Sequence, residues 1–388
     1  MATTYDGAMA VVTEDQIREA LNSVNDPEIK RPITELGMVD GITIDGNDIT
    51  VHLLLTVSGC PLKDTLNRDI TEAVGKVAPS SAVTVEMGVM TDEQRKGMQE
   101  MLRGGRTERD IPFAQAGSLT KVYAIASGKG GVGKSSVTVN LALAMAQRGL
   151  KVGIIDADIY GHSIPDMLGI GDERPTQVED MIMPVPVKGM KVISVGMLKP
   201  RKDQVVAWRG PMLDRALVQM LSDVYWGDLD ALFLDLPPGT GDIAISLGQH
   251  LPNAEVVVVT TPQDAAASVA ERAGTMASMM HQRVVGVIEN MSYLQLPGSD
   301  ERHEIFGSGG AEKVAKTLSG RFGYDVPVIA QIPLDEQVRI GGDNGIPIIE
   351  TAPDSVAAKE LLGAADKLSG RSRGLAGMQL GLAPAGRL

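Results

Sequence analysis

Nine consecutive residues, Ser127-Gly128-Lys129-Gly130-Gly131-Val132-Gly133-Lys134-Ser135, have the types and spacing to hold a polyphosphate. Glycines let backbone N–H groups converge on phosphate oxygens. Lys134 can neutralise the β- and γ-phosphates, and the Ser135 hydroxyl can ligate Mg²⁺. An apolar β-type stretch, Val122-Tyr123-Ala124-Ile125-Ala126, precedes the run, and a helical one, 137–144, follows it. That context aims a helix N-terminus at the phosphates. A surface turn with two lysines is the plain alternative, and the eight-residue pattern in a strand–turn–helix setting speaks against it. The expected nucleotide-binding set is Gly128, Lys129, Gly130, Gly131, Val132, Gly133, Lys134, Ser135 and Ser136.

Carboxylates recur where such a site needs them. Residues 151–155 run into Asp156-Ala157-Asp158-Ile159-Tyr160-Gly161. Acidic residues at the carboxyl end of a strand beside a phosphate loop face the open crevice of an α/β sheet. One aspartate there could merely cap a turn; two at this spacing favour function. Leu232-Phe233-Leu234-Asp235 has the form of a Walker B strand, with Asp235 expected to hold Mg²⁺ through a water. It continues into Pro237-Pro238-Gly239-Thr240-Gly241-Asp242, where prolines restrict the backbone and glycines allow close approach to phosphate. That suits a segment sensing the γ-phosphate, and Asp242 joins the catalytic candidates.

The elements that must position these groups follow from apolar periodicity. Strand candidates at 151–155, 191–196, 232–236, 256–261, 284–288 and 326–332 alternate with helical stretches. Their unbroken Val/Ile/Leu runs fit strands buried on both faces. The expected fold class is α/β: a doubly wound, mostly parallel sheet forming a P-loop NTPase domain, preceded by a small α+β domain. In the small domain Thr13 and Gln16 fit a capping box, and Ile17, Ala20, Leu21 and Val24 recur at helical spacing. Strands are expected at 42–44 and 49–55, joined by the turn Asp45-Gly46-Asn47-Asp48, and another through Val83, Val85 and Met87. Between them Pro61 suits a helix start, with Leu62, Leu66, Ile70, Val74 and Val77 as an apolar stripe at 3- to 4-residue spacing. The expected boundaries are 1–98 for the small domain, 99–119 for a linker, 120–370 for the ATPase domain and 371–388 for a flexible tail.

Composition narrows the function classes. A hydrophobic share of 43% against 22% charged residues is that of a chain able to bury a core. A formal charge of −13 opposes general affinity for nucleic acid or anionic lipid. No apolar run is long enough for a bilayer and the first residues lack the pattern of a signal peptide, so a cytoplasmic address is expected. The single cysteine, Cys60, rules out an intrachain disulfide and an all-cysteine metal site within one chain.

Lys129, near the start of the loop, is more than an ordinary P-loop needs. The pattern resembles the deviant Walker A subclass of MinD/ParA partitioning ATPases, nitrogenase iron protein, arsenite-pump ATPases and Mrp/ApbC iron–sulfur carriers. In that subclass the extra lysine reaches a partner's nucleotide, so the resemblance implies a homodimer closed by ATP, with Lys129 in a catalytic role. It also implies that Asp158 orients the attacking water, that Asp156 supports the Mg²⁺ shell, and that Asn290 reads the adenine edge. An asparagine in a turn is the competing reading for Asn290. The finer resemblance is to Mrp/ApbC, carried by Ser163-Ile164-Pro165, Trp208-Arg209-Gly210-Pro211-Met212, Thr260-Thr261-Pro262-Gln263, Glu289-Asn290-Met291-Ser292 and Ile332-Pro333-Leu334-Asp335. The first domain, with Asp26-Pro27-Glu28-Ile29 and the Thr-x-x-x-Cys-Pro element at 56–61, is similar to iron–sulfur assembly accessory proteins. Together these imply an ATP-hydrolysing carrier delivering clusters to apoprotein clients, alongside iron–sulfur assembly proteins.

The chain departs from that family at the cargo site. Members commonly carry a Cys-x-x-Cys after the Asn-Met-Ser element, and an ungapped count puts Leu296 and Ser299 there. Leucine cannot ligate iron, and serine is a hard, rare substitute for a thiolate. Cys60 is the remaining soft ligand, either a reactive thiolate at a helix start or a small buried hydrophobe. His303 could add a ligand. The competing function is a MinD/ParA-like ATP-driven dimer switch or scaffold that carries no cluster. A MinD-like membrane helix would need a basic amphipathic segment, and 371–388 holds too many Gly and Pro. A biosynthetic enzyme would need a second catalytic constellation.

Overall fold

The computed structural model describes residues 12–27, 29–56, 63–103, 110–115, 117–159, 161–199, 210–296, 298 and 301–370. They divide into two compact units, one within Met1–Thr107 together with Gln177–Met183, the other within Glu108–Thr176 and Pro184–Leu388.

In the first unit, α1 (Glu14–Leu21) starts on the expected capping box: Gln16 N donates to Thr13 Oγ1, and Thr13 N donates to Gln16 Oε1 at 3.0 Å. Its Ile17 and Leu21 are buried. β1 (Val39–Asp45) and β2 (Asp48–Leu55) form an antiparallel pair about the Gly46-Asn47 turn. Alternating burial along β2 hides Ile49, Val51, Leu53 and Leu55 on one face, as a period of two dictates. α2 (Lys63–Val77) buries Leu66, Ile70 and Val74, and carries the chain to β3 (Ala82–Val89), which lies parallel to β2. α3 (Asp92–Arg103) follows. Arg95 donates to Glu179, which belongs to the later segment of this unit, at 2.9 Å. Pro61 and Cys60 lie outside the described residues, as do 371–388.

In the second unit, β4 (Lys121–Ser127) leads through the glycine-rich loop to α4 (Lys134–Gln147), then β5 (Val152–Asp156) and α5 (Ile164–Met167). The chain then passes through the short strands β6 (Thr176–Val178) and β7 (Met181–Met183), which fall at the first unit's 177–183 segment, and resumes with β8 (Val185–Val187), β9 (Met190–Ser194), α6 (Gly210–Ser222), β10 (Ala231–Asp235) and α7 (Asp242–His250). The rest comprises β11 (Glu255–Thr260), α8 (Asp264–Met279), β12 (Arg283–Gln295), β13 (Arg302–His303), α9 (Gly310–Phe322), β14 (Val328–Leu334), α10 (Glu336–Asp343), α11 (Ile348–Thr351) and α12 (Val356–Ser369).

Hydrogen bonding orders the main sheet β12-β11-β4-β10-β5-β9, all parallel, with β14 parallel to β12 and the short β8 antiparallel at the β9 edge. This is a mostly parallel α/β sheet with flanking helices. Its central strands are apolar throughout because helices cover both faces. α4 is buried on nearly every side from Val137 to Met145, and α12 packs against it. Tyr123 on β4 lies 5.2 Å from the Phe233 ring and donates its hydroxyl to Leu368 O at 3.0 Å, tying the central strand to α12.

Candidate functional site

β4 and β10 are neighbours, and β5 lies beside β10, so the loops after all three open on one crevice. Register sets Asp235 level with Asp156 and Ile125 across the three strands. After Ser127 the loop turns through Gly131 (φ 78°) and Gly133 (φ 79°), in the left-handed region where a side chain is strained. A Cβ on Gly133 would also meet Asn290 Nδ2 at 2.1 Å. Gly128 answers to a further constraint, set by its packing. A Cβ there would lie 2.3 Å from the Val269 backbone, so this glycine lets the loop rest on α8. Gly130 faces Pro238, and Gly239 N donates to Ser127 O at 2.8 Å, joining the 237–242 segment to the loop.

At the start of α4, Lys134 Nζ lies 2.7 Å from Asp235 Oδ2 and 3.8 Å from Asp158 Oδ2. The Ser135 hydroxyl donates to Asp235 Oδ2 at 2.6 Å. Thr138, one turn further, donates to Asp235 Oδ1 at 2.8 Å. Asp235 is fully buried, so a lysine and two hydroxyls answer its charge. Asp158 accepts from Gly161 N at 3.0 Å. Asp156 sits behind it, fully buried, accepting from Asp158 N, Ser194 Oγ and Ile164 N. Burial, and then the Asp235 carboxylate, push the Asp156 carboxyl up to about 8.

A cavity of about 660 Å³ is lined by residues 129–136, Asp158, Pro237, Pro238 and Asp242. A second, of about 520 Å³, is lined by Asn290, Met291, Pro333, Leu334, Asp335 and Arg339. Gly133, Ser136, Ser163 and Met167 line both, so the two adjoin. Asn290 donates through Nδ2 to Val132 O at 2.9 Å, from within β12 rather than from a turn beyond it. Asp242 opens α7, where a Cβ on Gly210 would meet its Oδ2 at 2.8 Å. Lys129 points to α8, donating to Gln263 Oε1 at 3.0 Å.

Nucleotide and Mg²⁺ both fit these residues. Mg²⁺ takes hard oxygens in octahedral geometry, and the Ser135 hydroxyl against the Asp235 carboxylate is such a donor pair beside the phosphate loop. For a cluster, Cys60 and Ser299 lie outside the described residues. Leu296 is exposed just past the end of β12, and His303 lies on β13. Among the described residues no group of three or more His, Cys, Asp or Glu side chains could hold a metal ion. Sequence reasoning passed over Thr138, Ser194 and Gln263 as site residues. Thr138 alone had a local signal, lying one helical turn from Ser135 on the same face.

Fold and site define a P-loop NTPase of the deviant Walker A kind. The family model described as NUBPL iron-transfer P-loop NTPase matches residues 118–369, and one described as iron–sulfur cluster assembly protein matches 14–87. Iron–sulfur cluster carrier protein of Mycobacterium bovis is 56% identical over 100% of both chains; that of Synechocystis is 39% identical over 93% of this chain and 98% of its own. The solved ADP complex of a nucleotide-binding protein from Archaeoglobus fulgidus is 34% identical, with a TM-score of 0.50, over 66% of this chain and 91% of its own. The chain belongs to the iron–sulfur cluster carrier family of P-loop NTPases. Among the described residues no helix is long and apolar enough to cross a membrane.

Proposed function

We propose that the chain binds and hydrolyses ATP as a cytoplasmic homodimer and carries iron–sulfur clusters to apoprotein clients, by a route that lacks the usual Cys-x-x-Cys. Lys134, Ser135 and Asp158 on the wall of one cavity, with the buried Asp235 bonded to Lys134 and Ser135 behind them, carry this reading. Lys134 faces the β/γ-phosphates and the loop amides receive their oxygens. Ser135 and Asp235, backed by Asp156, hold Mg²⁺, which when bound neutralises charge developing on the phosphates. Asp158 orients water at the γ-phosphate, with Asp242 lining the same cavity and Lys129 serving the partner copy's nucleotide. Asn290 gives its N–H to the loop, which leaves Oδ1 to accept from the amino group of adenine.

Two measurements test this. Lys134→Ala should abolish tight binding of Mg-ATP in a titration, and unchanged affinity would remove the site. Anaerobic reconstitution with iron and sulfide should give a labile cluster that disappears in Cys60→Ala, because the missing ligands come from histidine, water or a small thiol. A stable cluster surviving Cys60→Ala places the cargo elsewhere. No cluster at all supports the second reading, an ATP-driven dimer switch or scaffold, which Leu296 in a ligand position favours.

A further inference from the structure

Lys129 is held within its own chain. Its ammonium donates to Gln263 Oε1 at 3.0 Å. Gln263 occupies the N-cap position of α8, yet its side chain caps nothing, which leaves the carboxamide to face the loop. Backbone packing fixes the pair on both sides. Gly128, next to Lys129, rests on the backbone of Val269 and Ala270 in α8. On the far side Gly310, at the start of α9, rests on Thr261 O and the Pro262 backbone so closely that a Cβ would lie 2.7 Å from that oxygen. The loop is therefore packed on α8 at 269–270, and the 261–262 segment that leads into α8 is packed on α9. The Thr261 hydroxyl is buried with no hydrogen-bond partner among the described residues.

Gln263 offers Lys129 one neutral oxygen. A triphosphate offers several charged ones, and charge-assisted hydrogen bonds are about twice as strong as neutral ones. We propose that Gln263 is a positioning residue that holds Lys129 in the single chain, and that two copies closing on ATP must draw Lys129 off Gln263 onto the partner copy's phosphates. This rests on the reading of an ATP-closed dimer. Glutamine suits the task because its hold is neutral; a glutamate there would set an ion pair against closure.

The experiment is ATP turnover against protein concentration at saturating Mg-ATP for wild type, Gln263→Ala, Gln263→Glu and Lys129→Ala. A fluorescent ATP analogue, titrated into dilute protein, and a melting curve report that each variant folds and binds. Removing the hold should bring half-maximal specific activity at about fivefold lower protein concentration in Gln263→Ala, and Gln263→Glu should raise it by about the same factor. Nucleotide affinity in dilute protein should not move, as it would if Gln263 were merely structural. Curves for both variants that superimpose on wild type overturn the inference. So does Gln263→Ala shifting to higher concentration, since Gln263 would then serve the closed dimer. Normal turnover by Lys129→Ala, or wild-type specific activity independent of concentration, instead overturns the dimer reading and the inference with it.

Discussion

Asp158 divides its carboxylate between two tasks. One oxygen accepts from Gly161 N at 3.0 Å and anchors the turn, while the other lies 3.8 Å from Lys134 Nζ at the cavity wall. In Asp158→Asn the amide oxygen can keep the anchor, but an N–H then faces the lysine and can no longer accept from water. ATP and Mg²⁺ should still bind, and single-turnover hydrolysis should slow by about 10²–10⁴-fold, the usual worth of a positioned acid–base group. A wild-type rate would move the role to Asp242 or to the backbone. At this scale the sequence exposed the residues whose partners lie in local motifs: Lys134, Ser135, Asp235 and Asp158. It did not expose Gly128's dependence on α8, because a backbone contact far along the chain leaves no pattern beside the glycine. Ser194 was hidden in the same way, since its bond to Asp156 is set by the pairing of β5 with β9.

The buried strands β4, β5, β9, β10 and β11 were legible because continuous apolar runs mark them. The apolar run marks β12 only to residue 288, and the strand runs to Gln295. Its second half carries Met291 at φ 56° and a register shift against β14 between Asn290 and Leu294, so no period of two survives there. That irregularity brings Asn290 to the phosphate loop. β6, β7 and β8 escaped because three-residue strands interrupted by Pro184 and Pro186 show no periodicity. The turn between β5 and α5 holds His162, whose ring lies so close to Gly196 that a Cβ there would fall 2.7 Å from Nδ1. Lys199 Nζ is 3.2 Å from Nε2. Burial, then the Lys199 charge, hold the imidazole below its ordinary 6.5, while Asp166 and Asp158 pull the other way. Below about pH 6.5 the unfolded chain therefore takes up a proton that the folded chain refuses, and stability falls as pH drops. His162→Gln keeps a neutral acceptor for Lys199 without the titration. Between pH 7.5 and 5.5 its melting temperature should fall less than that of wild type; parallel declines would locate the proton elsewhere.

Over the whole molecule, an accessory unit of the iron–sulfur assembly kind and a P-loop unit share one chain whose single cysteine, Cys60, leaves it without a Cys-x-x-Cys pair. The segment that would bear that pair has an ordered base. Leu294 pairs with His303 and Gln295 with Arg302, and the Arg302 guanidinium lies 4.1 Å from the centre of the Tyr293 ring. Leu296 is the first residue past this ladder and is 50% exposed, so a cysteine there gives up little packing and should cost within about 0.5 kcal/mol. Ser299 lies outside the described residues, and its place follows from the count along the sequence alone. Two copies of Leu296→Cys/Ser299→Cys would bring four thiolates to a dimer, the usual set for a cluster. Made in a Cys60→Ala background, the double variant isolates this segment from every native thiol. After anaerobic reconstitution and desalting it should retain iron and sulfide, with the visible absorption of a cluster, at about one cluster per dimer, while the Cys60→Ala parent retains none. Lys129→Ala in the same protein should lower that yield if closure on ATP brings the segments together. Equal iron and sulfide in parent and double variant would mean that these two positions do not meet across the dimer, and the cargo site would have to be sought in the first unit.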